Sequence, residues 1–284
     1  MSVENAESKA NSFMMWRKEQ LNGRFEQAGA DGVRSVLIDV KRANVTVTPS
    51  NGATIGIRLT GKLSKTWNGE IGIATSRLQD ELAIGIRQER GLLRFLDWGT
   101  LHLEVELPAK IWSTIQINTG SGNVRVRDLK ADTVYVATGS GNLIATDIVA
   151  GQLLDMNVGS GNIDAEWFDA GKTCIRTGSG NLRLIEGMTT LTAETGSGNI
   201  EAEELSIEGD TELHSGSGNI FVRLAPEPLS LSLEYESGSG NAHVTRPGFV
   251  TQERGRGNSA LRGKFGDGEV RLRVRTGSGN FQLA

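Results

Sequence analysis

Residues 115–142 read IQINTGSGNVRVRDLKADTVYVATGSGN. Two copies of Gly-Ser-Gly-Asn stand 19 residues apart in this stretch, and each is flanked by apolar residues at every second position. Ile115 and Ile117 precede the first copy, Val124 and Val126 follow it, and Val134 and Val136 precede the second. Alternation of period two places such residues on one face of a strand. Glycine supplies the tight corner between strands, because it takes positive φ at little steric cost. One unit is therefore strand, glycine corner, strand, and then again.

Working outward, the same tetrapeptide occurs eight times. The copies are Gly120-Ser121-Gly122-Asn123, Gly139-Ser140-Gly141-Asn142, Gly159-Ser160-Gly161-Asn162, Gly178-Ser179-Gly180-Asn181, Gly196-Ser197-Gly198-Asn199, Gly216-Ser217-Gly218-Asn219, Gly238-Ser239-Gly240-Asn241 and Gly277-Ser278-Gly279-Asn280. Successive spacings are 19, 20, 19, 18, 20, 22 and 39. The last gap spans two periods and contains a worn copy, Gly255-Arg256-Gly257-Asn258. A short fixed period specifies stacked units that share a core. The expected fold is all-β, a parallel β-helix (β-solenoid) of about 19–20 residues per coil, with the eight turns in one column along one edge. Stacked Asn side chains can bond along that column as a ladder. Thr119, Thr138, Val158, Thr177, Thr195, Ser215, Ser237 and Thr276, each just before a motif, form a second, inward column.

The chain divides into residues 1–30 and a solenoid over 31–284, with irregular opening coils at 31–110 and regular repeats at 111–284. In the first segment Met14, Leu21 and Phe25 fall at helical spacing, which predicts a short helix within residues 4–28 that caps the first coil. An amphipathic membrane contact is the sharper reading of that stripe. The 91–99 stretch, GLLRFLDWG, is either an apolar interaction loop or a loop folded onto the core. Exposed coil ends make self-association through the solenoid ends conceivable.

Composition narrows the function classes. Net charge is −4 with no basic block, which disfavours nucleic acid as a partner. The single cysteine, Cys174, excludes an internal disulfide; it falls on the outward phase of its strand. Residues 1–12 have neither a basic nor an apolar signal region, and no apolar run reaches the roughly 20 residues of a membrane span. The default location is thus cytoplasmic.

No catalytic constellation accompanies the repeat. Eight identical serines in Gly-Ser-Gly-Asn do not form a nucleophile elbow, which is Gly-x-Ser-x-Gly with a histidine and an acid. The turns carry Asn where calcium-binding β-rolls carry Asp. His102, His214 and His243 lie far apart in sequence, so no metal or cofactor is expected. The outward positions after the motif carry Arg125 and Arg127, Asp164 and Glu166, Arg183, Glu201 and Glu203. They read as a solvated charge ladder, with a two-carboxylate glycan-cleaving groove as the alternative.

The chain resembles the bacterial β-strand-repeat proteins grouped as "putative adhesins", a domain family of unknown function. Three features carry the resemblance: Ser35-Val36-Leu37-Ile38-Asp39-Val40 with Ala43-Asn44-Val45-Thr46-Val47, the run from Leu101 to Pro108, and the Gly-Ser-Gly-Asn turns. It covers residues 33–284 and implies an exported or envelope-tethered protein. The expectation is a non-enzymatic scaffold or binding protein, adhesin-like, with an unidentified protein or glycan partner. Two alternatives stay open: a cell-surface adhesin exported without a recognisable signal, and a glycan-active β-helix enzyme.

Overall fold

The computed structural model describes residues 18–64, 71–88, 99–226, 230–255 and 258–284. Among them the opening strands are β1 (Lys18–Gly29), β2 (Ser35–Arg42), β3 (Asn44–Ser50), β4 (Thr54–Ser64), β5 (Ile71–Leu78), β6 (Glu81–Gln88) and β7 (Thr100–Pro108). The central strands are β8 (Trp112–Ser121), β9 (Val124–Ser140), β10 (Leu143–Ser160), β11 (Ile163–Ser179), β12 (Leu182–Ser197), β13 (Ile200–Ile207), β14 (Thr211–Ser217) and β15 (Ile220–Leu224). The closing strands are β16 (Leu231–Ser239), β17 (Ala242–Val244), β18 (Val250–Arg254), β19 (Ala260–Phe265), β20 (Val270–Ser278) and β21 (Phe281–Leu283). All belong to one open, solenoid-like sheet, and no α-helix occurs among the described residues.

Parallel pairing between successive repeats builds the stack. Val45, Val124, Leu143, Ile163, Leu182, Ile200, Ile220, Phe281 and Ala242 lie in register, each on the next strand. On the strand before the turn, Ile38, Ile117, Val136, Met156, Ile175, Ala193, Leu213, Val274 and Tyr235 form a second column. Every one of these side chains is buried. Fully burying a Val, Leu or Ile stabilises by about 1.5–3 kcal/mol, whereas an exposed ion pair gives at most about 1 kcal/mol. The inward columns, not the charged face, therefore hold the stack together.

A second corner, free of glycine, lies five residues beyond each of Asn123, Asn142, Asn162, Asn181 and Asn199. Asp128, Asp147, Trp167, Glu186 and Glu204 have φ of 51°, 57°, 53°, 51° and 53°. The ladder skips them: Thr146 pairs with Glu166 and Ile148 with Phe168, leaving Asp147 and Trp167 between. Beneath this corner Phe168 is in register with Gly187, where a Cβ would lie 2.2 Å from the Phe168 ring. Gly187 is thus glycine for space.

The order of coils in space is not their order in the chain. Strand β20 lies between β14 and β16, and β21 between β15 and β17. The coil at 270–283 is thereby inserted between those at 211–224 and 231–244. At the other end β2 and β3 stack directly on β8 and β9, while β6 and β7 lie outside them. Both ends close with antiparallel strands, β4 on β7 and β5 on β6 at one, β19 on β16 and β18 on β19 at the other.

Several expectations are corrected here. The N-terminal helix is absent where the structure describes its residues: Lys18–Gly29 is a strand, antiparallel to β4. Leu21 is half-buried and Phe25 is exposed, with the Arg58 guanidinium 6.0 Å from its ring. The free edge of β4 offers a full ladder of hydrogen bonds, and this outweighs the weak helical stripe. Residues 4–17 of that expected helix lie outside the described residues, as do residues 91–98 of the apolar loop. Of the worn copy, Gly255 and Asn258 lie between the antiparallel strands β18 and β19 and not in the parallel stack, while residues 256 and 257 lie outside the described residues.

Candidate functional site

The Gly-Ser-Gly-Asn turns stack in one column. The backbone N–H of each Asn donates to the side-chain Oδ1 of the Asn on the neighbouring coil, at 2.8–3.0 Å. In spatial order the column is Asn44, Asn123, Asn142, Asn162, Asn181, Asn199, Asn219, Asn280 and Asn241. The ladder thus runs from backbone to side chain, and it gains a ninth member, Asn44, whose own turn reads Lys41-Arg42-Ala43-Asn44. Inside it, the hydroxyls of Thr138, Thr177, Thr195, Ser215 and Thr276 donate to the second-glycine carbonyl of the adjacent turn at 2.8–3.0 Å. Val158 interrupts this inner column, and Tyr235 Oη donates to Gly279 O at 3.3 Å in the outermost coil.

Both glycines answer to the same crowding. A Cβ on Gly180 would lie 2.0 Å from the carbonyl oxygen of Gly161, and one on Gly178 would lie 2.5 Å from that of Gly159. The second glycine also has φ of 154° at Gly180 and 138–158° in its equivalents Gly122, Gly141, Gly161, Gly198 and Gly279. Close approach and backbone angle together explain the repeat with no ligand. The motif residues build the edge of the sheet.

The opposite corner has a different character. Its residues line a groove of about 600 Å³ with Asp128, Lys130, Asp147, Val149, Trp167, Asp169, Glu186 and Met188 at the surface, over Ile148 and Phe168. Trp167 is 49% exposed, Met188 43% and Val149 42%. Two columns run along it. Asp128, Asp147, Trp167 and Glu186 occupy the left-handed corner, and Lys130, Val149, Asp169 and Met188 are in register two residues further on. A bulky residue with φ near 53° is a conformational outlier, and carboxylates stacked on adjacent strands repel. The left-handed angle makes the corner in each of these coils, but an exposed indole and stacked carboxylates there add nothing to the inward columns. Sequence reading missed this site, because its corner has no glycine and only the constant five-residue offset from Asn reveals it.

A family model described as Toastrack DUF4097 matches residues 33–284. The chain belongs to this Toastrack family. Similar solved structures include a "putative adhesin" from Bacteroides fragilis NCTC 9343, 11% identical with a TM-score of 0.48, over 94% of this chain and 98% of that one. Another "putative adhesin", from Parabacteroides merdae ATCC 43184, is 10% identical with a TM-score of 0.46, over 92% and 96%. A "putative lipid binding protein" from Parabacteroides distasonis ATCC 8503 is 14% identical with a TM-score of 0.45, over 93% and 97%. No curated protein matches the chain.

Elsewhere on this Toastrack domain the outward charges pair across coils. Arg183 Nη1 donates to Glu166 Oε1 at 2.6 Å and Asp164 Oδ1 at 3.3 Å; the Glu166 hydrogen bond holds the guanidinium above its ordinary pKa, against a small opposing effect of burial. Arg183 makes no ion pair with Glu201 or Glu203 among the described residues; Glu203 and Glu204 instead bind Arg223. Arg125 and Arg127 follow the first motif copy on β9. Cys174, expected to face outward, is only 7% exposed, in register between Asp155 and Thr192. His102 lies on β7, with Nδ1 3.4 Å from Asn44 Nδ2, His214 on β14 and His243 on β17. Among the described residues no group of His, Cys, Asp and Glu could hold a metal ion, and no helix is long and apolar enough to cross a membrane.

Proposed function

We propose that this Toastrack chain is a non-enzymatic binding scaffold of the adhesin type, whose recognition surface is the groove at Trp167. The observation that carries the reading is Trp167 itself, half-exposed and held in the left-handed region beside a groove of about 600 Å³. Backbone strain retained at an exposed aromatic residue is a mark of selection for contact rather than stability. The glycan-cleaving alternative is less well supported. Glycoside hydrolysis needs one carboxyl to deliver a proton and another to attack or activate water. Asp164 and Glu166 share the single guanidinium of Arg183, which leaves neither placed for a separate role.

The test exposes wild type and Trp167→Ala to arrays of peptides and glycans and to soluble polysaccharides. The scaffold reading expects saturable binding without product release, lost in Trp167→Ala at unchanged melting temperature. Polysaccharide cleavage that disappears in the Asp164→Asn, Glu166→Gln, Glu201→Gln variant would overturn it in favour of an enzyme. Cell fractionation then separates the cell-surface setting implied by the adhesin resemblance from a cytoplasmic one.

A further inference from the structure

Several carboxylates on the coil stack are paired with arginine, and those lining the groove are not. On the same coils Asp155 and Glu194 pair with Arg176, Asp164 and Glu166 with Arg183, and Glu203 and Glu204 with Arg223. Among the described residues Asp128, Asp147, Asp169 and Glu186 form no ion pair, although all four line one groove with a single cation, Lys130. Between them lies the apolar patch of Val149, Trp167 and Met188. Within the corner column, Trp167 has Asp147 on the coil to one side and Glu186 on the coil to the other. Each of the four coils thus carries one carboxylate, and three of them carry an apolar side chain beside it, with Lys130 next to Asp128 at one end.

Resting on the binding reading above, we propose that the groove takes an extended segment of a partner protein with the pattern basic-x-apolar-x-basic. Dimensions and charge both select it. Coils stack about 4.8 Å apart, so Asp128 to Glu186 spans about 14 Å over three coil steps. In an extended peptide, residues i and i+4 are about 13 Å apart and project from the same face as i+2. A Lys or Arg at i meets Asp128 and Asp147, one at i+4 meets Glu186, and the apolar residue at i+2 rests on Val149, Trp167 and Met188. A second copy of the chain fits poorly, since it brings a net charge of −4 and the same acidic groove.

The test is fluorescence anisotropy with a labelled peptide, Gly-Ser-Arg-Thr-Val-Thr-Arg-Ser-Gly, against the full chain. Two control peptides replace both Arg by Glu, or Val by Asp. Saturable binding with a Kd of about 10–100 µM is expected for the first peptide only. Raising salt from about 0.05 M to about 0.5 M should weaken it roughly tenfold. The Asp128→Asn, Asp147→Asn, Glu186→Gln variant and Trp167→Ala should each weaken it about tenfold while melting no lower than wild type. No saturable binding, or equal binding of the Glu peptide, overturns the ligand class. Binding to phosphatidylcholine vesicles that is lost in Trp167→Ala also overturns it, in favour of a lipid headgroup, and leaves the groove standing as a site. Binding of peptides, glycans and vesicles that survives both variants overturns the groove itself.

Discussion

Asn280 donates its backbone N–H to the side-chain oxygen of Asn219 at 2.8 Å, across 61 residues of sequence. Asn241, which precedes Asn280 in the chain, in turn donates to Asn280 Oδ1 at 3.0 Å. The coil at 270–283 is thus held on both sides, by β14 and β15 and by β16 and β17. Removing residues 270–284 leaves two long rows of unpaired backbone groups, a template for association. The truncated chain is expected to form oligomers or aggregates on size-exclusion chromatography and to lose its sharp thermal transition. A monomer as stable as the full chain would show that this coil is not inserted.

Gly180→Val should destabilise far more than Ser179→Ala. The valine would force its Cβ to 2.0 Å from the Gly161 carbonyl oxygen and place a β-branched residue at φ 154°. Such backbone strain alone costs on the order of 1–3 kcal/mol, and the clash adds to it. Ser179 is exposed, and its loss should cost under about 1 kcal/mol. Paired thermal melts decide; an equal or larger loss for the serine change would reopen a role for Ser179.

The corner column should yield stabilised variants. Trp167→Gly removes a bulky residue from φ 53°, and Asp147→Asn both suits the left-handed region and relieves repulsion from Asp128. Each is expected to raise stability by about 0.5–1 kcal/mol in denaturant titrations, while Trp167→Gly abolishes groove binding. A lower midpoint for either variant would mean that the corner is relaxed and carries no functional strain.

Tyr235 gives the outermost parallel coil an alkaline limit. Burial pushes its phenol above the ordinary value. Its ring stacks on Phe281 at 5.4 Å. Below about pH 10 the phenol is neutral in both folded and unfolded chains, so its contribution is fully present. As pH rises through the folded-state value that contribution is lost, because the unfolded chain releases the proton first. Melting temperature should therefore fall less steeply between about pH 9 and about pH 12 in Tyr235→Phe than in wild type. Parallel curves would place the alkaline weakness elsewhere.

The regular coils were legible because each carries its own punctuation. Gly-Ser-Gly-Asn marks one corner, and pairs such as Leu143 and Ala145 or Leu182 and Leu184 mark the inward face. The insertion of the 270–283 coil was not legible. The spacing of 39 residues between Gly238 and Gly277 suggested two periods with a worn copy inside, but which coil a strand pairs with is decided by non-local edges. Residues 18–29 misled for a related reason: Leu21 and Phe25 match a helical stripe, and only the free edge of β4 selects the strand. The Trp167 groove is hidden in the sequence because its corner carries no glycine. Asp128, Asp147, Glu186 and Glu204 share a carboxylate, but none is the glycine or proline that would announce a turn, and Trp167 breaks the series.

The inserted coil also sets a timetable. A ribosome delivers residues 231–265 before residues 270–283, yet the later segment is what joins the earlier one to the stack. The hairpin strands β16, β18 and β19 therefore emerge with no surface to dock on, and must wait, apolar faces of Leu231, Leu233 and Tyr235 unsheltered, until the strand that lies beneath them has been made.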